Sequence, residues 1–166
     1  TAIAASESGF NPRLLGVATM PWPAFWLWLV FGLAGVGALV LGFKAFGIAE
    51  SPLLQHLVPE TRAEKLLYVG VSATAGICEE LVFRGFLIAA LTVATGSLTF
   101  ATLLAAGAFG IAHAHQAAAG ALRATLLALV LSVPLLLSGS LYPGIAAHAI
   151  VDLSAGLWLS RWLLRS

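Results

Sequence analysis

The sequence of 166 residues predicts an all-α integral membrane protein with about five transmembrane helices. Three observations predict it. Hydrophobic residues make up 60% of the chain and charged ones only 9%, with a mean hydropathy of +1.00. A soluble domain carries roughly a quarter charged residues, so this chain lacks the polar surface needed to face water. Apolar stretches recur at the length a bilayer asks for, about 20 residues for a hydrocarbon core about 30 Å thick. Trp22, Trp26 and Trp28 cluster at the start of the first stretch, where aromatic belts mark a membrane interface. A net charge of +1 excludes a nucleic-acid binder, and the composition excludes a disordered chain.

The first span is expected over about 21–46, and a polar connection over 47–65 holds much of the charge. Within that connection Thr61-Arg62-Ala63-Glu64 reads as a capping box, in which hydroxyl and carboxylate satisfy free N–H groups at a helix start. One long helix then follows over about 62–95, ended by the turn Gly96-Ser97. The third segment is expected over about 98–115, the fourth over about 120–137 with Pro134 as a kink, and the fifth over about 142–164. Residues 1–60 form an N-terminal segment with the first helix and the connection, and 61–166 form the core. With five spans, the N-terminus and the turns near Gly96 and Gly139 share one side, which holds only Arg13. Lys44, Arg62, Lys65, Arg123, Arg161 and Arg165 fall on the other. Positive residues collect in the cytoplasm, so the C-terminus is expected there.

The functional signal is polarity in the wrong place. A charged side chain at the bilayer centre costs at least about 2.5–3.5 kcal/mol on insertion scales. Yet Glu79, Glu80, Arg84, His113, His115, His148 and Asp152 all fall within apolar segments. Glu80 and Arg84 stand one helical turn apart and can pair. Glu79 is rotated about 100° away from Glu80 and needs a partner from another helix. Glu79 lies 17 residues before Gly96 and His113 lies 17 after it, so a hairpin turning at Gly96 brings both to one depth. A carboxylate and an imidazole facing each other there can hold and deprotonate a water. Phe109, one turn before His113, packs beside it. Asp152, one turn after His148, can orient that imidazole. Each feature has a plain alternative: a buried ion cluster for the two Glu and Arg84, a core histidine bonded to a carbonyl for His113, and a helix–helix hydrogen bond for His148 and Asp152. His115 is expected at the membrane edge, Cys78 in the core, and His56 carries no signal. By simple counting, His148 sits more than about 10 Å shallower than Glu79 and His113. A turn within the protein or a tilted fifth helix closes that gap.

Glu79-Glu80-x-x-x-Arg84, Phe109-x-x-x-His113 and His148-x-x-x-Asp152, in the segments EELVFRGFL, FGIAHAH and LYPGIAAHAIVD, resemble the three motifs of the CPBP family. These are the CAAX-protease and bacteriocin-processing membrane proteins, also called the Abi family. The resemblance covers about residues 61–152 and implies an intramembrane CAAX-type endopeptidase whose substrate is a membrane-embedded or lipidated peptide in the lipid bilayer. Glu79 is then the base that activates water, assisted by His113. His148 and Asp152 bind the oxyanion, while Glu80, Arg84 and Phe109 support the site. The third motif often ends in Asn, and a carboxylate cannot donate a hydrogen bond unless protonated. Asp152 therefore fits an orienting role for His148 as well. The family is often labelled metalloprotease. Glu79, His113 and His148 are a donor set suited to zinc with one open position, although His-Glu-x-x-His is absent, and metal-free glutamate-type hydrolysis stands slightly ahead. No Ser or Cys lies in a motif with a base, which argues against a covalent nucleophile. A non-catalytic immunity or scaffold protein, and a proton-coupled transporter using the same Glu and His residues, are the competing readings.

Overall fold

A computed structural model describes residues 16–48 and 58–163. Arg13, His56 and Arg165 lie outside the described residues. The described chain is helical, and its one β-type pairing is an isolated bridge between Val17 and Ser140.

Helix α1 is Trp22–Ala45, entered through Pro21. Helix α2 runs over 62–95 in three parts: α-helical Arg62–Glu79, π-helical Glu80–Leu87 and α-helical Ile88–Thr95. Helix α3 is Leu98–Ala112, followed by a 3-10 turn at Ala114–Gln116. Helix α4 is Ala117–Ser138, with Pro134 inside it. Helix α5 runs over 142–163 and comprises α-helical Tyr142–Ser154, π-helical Ala155–Leu159 and α-helical Ser160–Leu163. Trp22–Ala45 and Ala114–Ser138 are long and apolar enough to cross a membrane.

Local chemistry sets the helix ends. The amides of Glu60 and Thr61 donate to the Glu64 carboxylate at 2.7 and 3.1 Å, and the Glu64 amide donates to the Thr61 hydroxyl at 3.2 Å. Those donors hold the Glu64 carboxyl below the usual range. Gly96 and Gly139 end α2 and α4 at φ of +68° and +73°, a conformation glycine adopts without strain.

Large apolar side chains face outward and small ones inward. Trp22, Trp26, Leu66, Phe86, Ile111 and Trp158 face outward, while Ala101, Ala105, Ala106, Ala124, Ala128 and Ala147 are buried. Small residues let helix backbones approach where lipid supplies no hydrophobic contrast. At Gly76 an added methyl would meet Ala149 and the Ile145 carbonyl at 3.0–3.1 Å, so α2 and α5 nearly touch. At Gly110 it would collide with the Thr125 hydroxyl of α4 and come within 2.7 Å of the Ala121 carbonyl. Gly110→Ala is therefore expected to destabilise the α3–α4 contact by about 1–3 kcal/mol, the usual range for overpacking. A lowered melting temperature in detergent checks it, and an unchanged one would show that α3 and α4 have room to part.

The α2–α3 and α4–α5 turns lie at different levels of the bundle. Gly144 lies against Glu80, since an added methyl would sit 3.3 Å from its Oε2. From that level Gly96 is 16 residues away along α2, whereas Gly139 is only five away along the chain. At 1.5 Å per residue the α4–α5 turn lies roughly 15 Å deeper than the α2–α3 turn. Ser140 and Leu141 are buried there. The extended segment before α1 covers them: the Leu141 amide donates to the Gly16 carbonyl at 2.7 Å, and the Ser140 hydroxyl to the Ala18 carbonyl at 3.0 Å.

Candidate active site

Helices α2, α3 and α5 bring the motif residues together. Glu80 is fully buried, and its Oε1 meets an ion-pair partner and a hydrogen-bond donor. Nη1 of Arg84 stands 3.2 Å away, and Nδ1 of His148 donates at 2.8 Å. A carboxylate oxygen accepts, so Nδ1 of His148 is the donor in this contact. The orienting carboxylate of His148 is therefore Glu80, not Asp152 as the one-turn spacing within α5 predicts. Asp152 instead presents Oδ2 3.7 Å from the other ring nitrogen, Nε2. Glu79 presents Oε2 3.8 Å from the same nitrogen. Both distances exceed a direct hydrogen bond. Such spacings are ones that a bridging water spans.

Phe109 is the hub of the aromatic contacts. The Arg84 guanidinium stacks over its ring at 4.4 Å, and the rings of Phe83, His113 and His148 lie 5.0, 4.4 and 6.2 Å from it. Stacking of this kind holds a buried guanidinium in place without spending its N–H donors. His113 caps the end of α3, and its Nδ1 donates to the Phe109 carbonyl at 2.8 Å. That bond is the one expected of a core histidine, yet the ring also lines a cavity of about 220 Å³ together with Arg84, His148 and Asp152. Its Nε2 is left to act as an acceptor. Asp152 and His113 line that cavity, while Glu79 lines a groove on the outward face of α2.

The π-helical turn at Glu80–Leu87 was not legible from periodicity. It begins at the residue after Glu79, and π-helical turns concentrate at functional sites. A second one follows Asp152 closely, at Ala155–Leu159. Cys78 corrects an expectation: it is exposed, on the outward face of α2 in a groove with Glu79, because Ser72, Gly76 and Glu80 take the buried face. His115 is exposed, as expected for the edge. Arg123 and Gln116 also line the cavity. In the sequence Arg123 was only one of six basic residues expected on the cytoplasmic side.

Glu79, His113 and His148 were the candidate zinc ligands. No group of three or more His, Cys, Asp or Glu among the described residues converges as a ligand set. His148 and His113 each commit Nδ1, to Glu80 and to the Phe109 carbonyl, which leaves Nε2 as the ring atom of each that a metal would meet. The three residues as arranged do not fit a tetrahedral zinc site.

The family model of the Rce1-like type II CAAX prenyl endopeptidases matches residues 61–154. That is 94 of 166 residues, and it includes all three motifs. The chain belongs to this family. Membership makes the Rce1-like chain a CAAX-type protease, a hydrolase of the membrane. No curated protein and no solved structure matches it.

Proposed function

We propose that this Rce1-like chain is an intramembrane endopeptidase that hydrolyses a peptide bond in a prenylated, membrane-bound peptide by direct attack of water. The observation that carries this reading is the approach of two carboxylates, Glu79 and Asp152, to one ring nitrogen of a His148 whose other nitrogen is fixed by buried Glu80.

Glu79 takes a proton from water as its oxygen bonds to the carbonyl carbon. The carbonyl π pair becomes an oxyanion. His148, held by Glu80 and protonated on Nε2, donates to that oxyanion. Collapse restores the carbonyl and breaks the C–N bond. The proton then passes from Glu79 to the leaving nitrogen, with Nε2 of His113 alongside as an acceptor. Asp152 faces the same Nε2 of His148. Arg84 pairs with Glu80, and Phe109 holds Arg84.

An apolar slot of about 470 Å³ between α1 and α5 supports a lipidated substrate. It shares Val40, Val151 and Ala155 with the catalytic cavity, so a hydrocarbon chain lying in it ends beside the reacting groups. In this reading all five helices span the bilayer, the N-terminus lies outside and the C-terminus in the cytoplasm, with 1–60 preceding a catalytic core at 61–166. The test is cleavage in liposomes of a prenylated peptide and of the same peptide without its prenyl chain, with the products identified by mass spectrometry. The prenylated peptide is expected to release its C-terminal fragment and the bare one to release far less. No fragment from either would overturn the reading.

A further inference from the structure

The start of α1 carries a pocket that the hydrolytic steps do not touch. Thr19, Met20, Trp22, Phe25 and Tyr142 line a cavity of about 350 Å³. Three of the five are aromatic, and none of the five carries a charge. The rings of Trp22 and Phe25 stand at 80° to each other with centroids 5.6 Å apart, so they form two adjoining walls rather than a stack. Phe25 packs against the core cluster of Leu29, Val36, Leu131 and Ala147. Tyr142 brings a third ring from the first turn of α5, and its hydroxyl donates to the Val17 carbonyl at 3.4 Å. Met20 adds a polarisable thioether to the lining.

The lining chemistry selects a ligand class. Trp22 and Trp26 mark the level of the lipid head groups, and Trp22 is 71% exposed, so the pocket opens at that level. Aromatic faces attract a cation through the ring quadrupole, and a box of them suits a quaternary ammonium, whose methyl groups pack on the rings. A primary ammonium carries three N–H donors that need acceptors. The lining side chains offer two hydroxyls, of Thr19 and Tyr142, and that of Tyr142 already donates to Val17. The neighbouring carbonyls of Gly16 and Ala18 already accept from the Leu141 amide and the Ser140 hydroxyl. An anion meets no cationic side chain among the five lining residues. A trimethylammonium group has no donors to satisfy and meets only rings and methyl groups.

We propose that the pocket of Trp22, Phe25 and Tyr142 binds the trimethylammonium head of a choline lipid. Four of its five lining residues precede residues 61–154, so membership in the family does not assign it. The proposal is independent of the hydrolase reading. The extended segment before α1, tied to the α4–α5 turn, holds the Thr19–Met20 side of the pocket beside Tyr142 before any lipid arrives.

The experiment places the full chain in maltoside micelles with equal amounts of phosphatidylcholine and phosphatidylethanolamine of the same acyl chains. Native mass spectrometry reads the lipid retained. The wild type is expected to retain the choline lipid about tenfold over the other, the scale of a cation–π contact shielded from water. Tetramethylammonium chloride should displace it, and sodium chloride at the same ionic strength should not. Trp22→Leu should lose the preference, and Tyr142→Phe, which keeps the ring, should retain it. Trp28→Leu is the control: Trp28 belongs to the same belt and meets Phe31 edge-on at 5.7 Å, but does not line the pocket. It should keep the preference. Equal retention of both lipids by the wild type would overturn the proposal, whether or not the variants fold. So would tetramethylammonium that displaces nothing, since the acyl chains then hold the lipid. A loss in Trp28→Leu as large as in Trp22→Leu would overturn it too, as the mark of a general aromatic belt. Should tetramethylammonium alone raise the melting temperature while the two lipids are retained equally, the ligand is a free quaternary ammonium and the lipid assignment falls.

Discussion

Glu80→Ala is expected to destabilise the protein by about 3–5 kcal/mol, the range for breaking a buried ion pair from one side. Glu80 is fully buried and Arg84 is 2% exposed. Removing the carboxylate strands the guanidinium in a low-dielectric site, with only the face of Phe109 opposite it. The same change frees Nδ1 of His148, so stability and catalysis fall together. A double replacement separates them. Glu80→Leu with Arg84→Met removes both charges and fills similar volume, which is often neutral for stability. It is expected to recover most of the melting temperature in detergent and none of the cleavage rate, because His148 still lacks its orienting carboxylate. A Glu80→Ala protein as stable as the wild type would show that the pair is solvated, and a double variant that regains activity would remove Glu80 from the positioning of His148.

That cluster also marks how far the sequence could be read. The Glu80–Arg84 pair was legible because both partners lie on one helix and the 3.6-residue period places them on one face. The Glu80–His148 bond joins residues 68 apart on different helices, and no period reports it. Periodicity favoured Asp152 for that role because it is the nearest carboxylate in sequence. The tertiary contact won because Gly76 and Gly144 let α2 and α5 approach until Glu80 reaches Nδ1 first. Helix boundaries were legible from hydropathy, Trp belts and the Gly turns, and the capping box at Thr61 formed with the partners its spacing names. The offset of the turn at Gly139 from that at Gly96 was legible only as a discrepancy in depth. The π-helical turns had no sequence signal, since an extra residue in a turn leaves an apolar pattern nearly unchanged. Cys78 was misplaced for a related reason. In a membrane the outward face is apolar too, so an apolar neighbourhood does not distinguish core from lipid.

Glu79→Gln is expected to lower kcat by about 10²–10⁴-fold, the contribution of a positioned general base, with folding and substrate binding retained. Glutamine keeps the shape of the side chain and still reaches Nε2 of His148, 3.8 Å away in the wild type. It cannot take a proton from water. Asp152 is the rival base, because its Oδ2 lies at nearly the same distance, 3.7 Å, from the same nitrogen. Asp152→Asn tells the two apart. Asparagine retains an acceptor and adds a donor that can face an oxyanion. If Glu79 is the base, Asp152→Asn keeps activity within about tenfold of the wild type, since the proton transfer is intact. If Asp152 is the base, the pattern reverses: Asp152→Asn is the inactive protein and Glu79→Gln the active one. Rates on one prenylated peptide, with melting temperatures to confirm that both variants fold, give the answer. Wild-type turnover by Glu79→Gln would remove Glu79 from the chemistry and leave it as a structural carboxylate at the edge of α2.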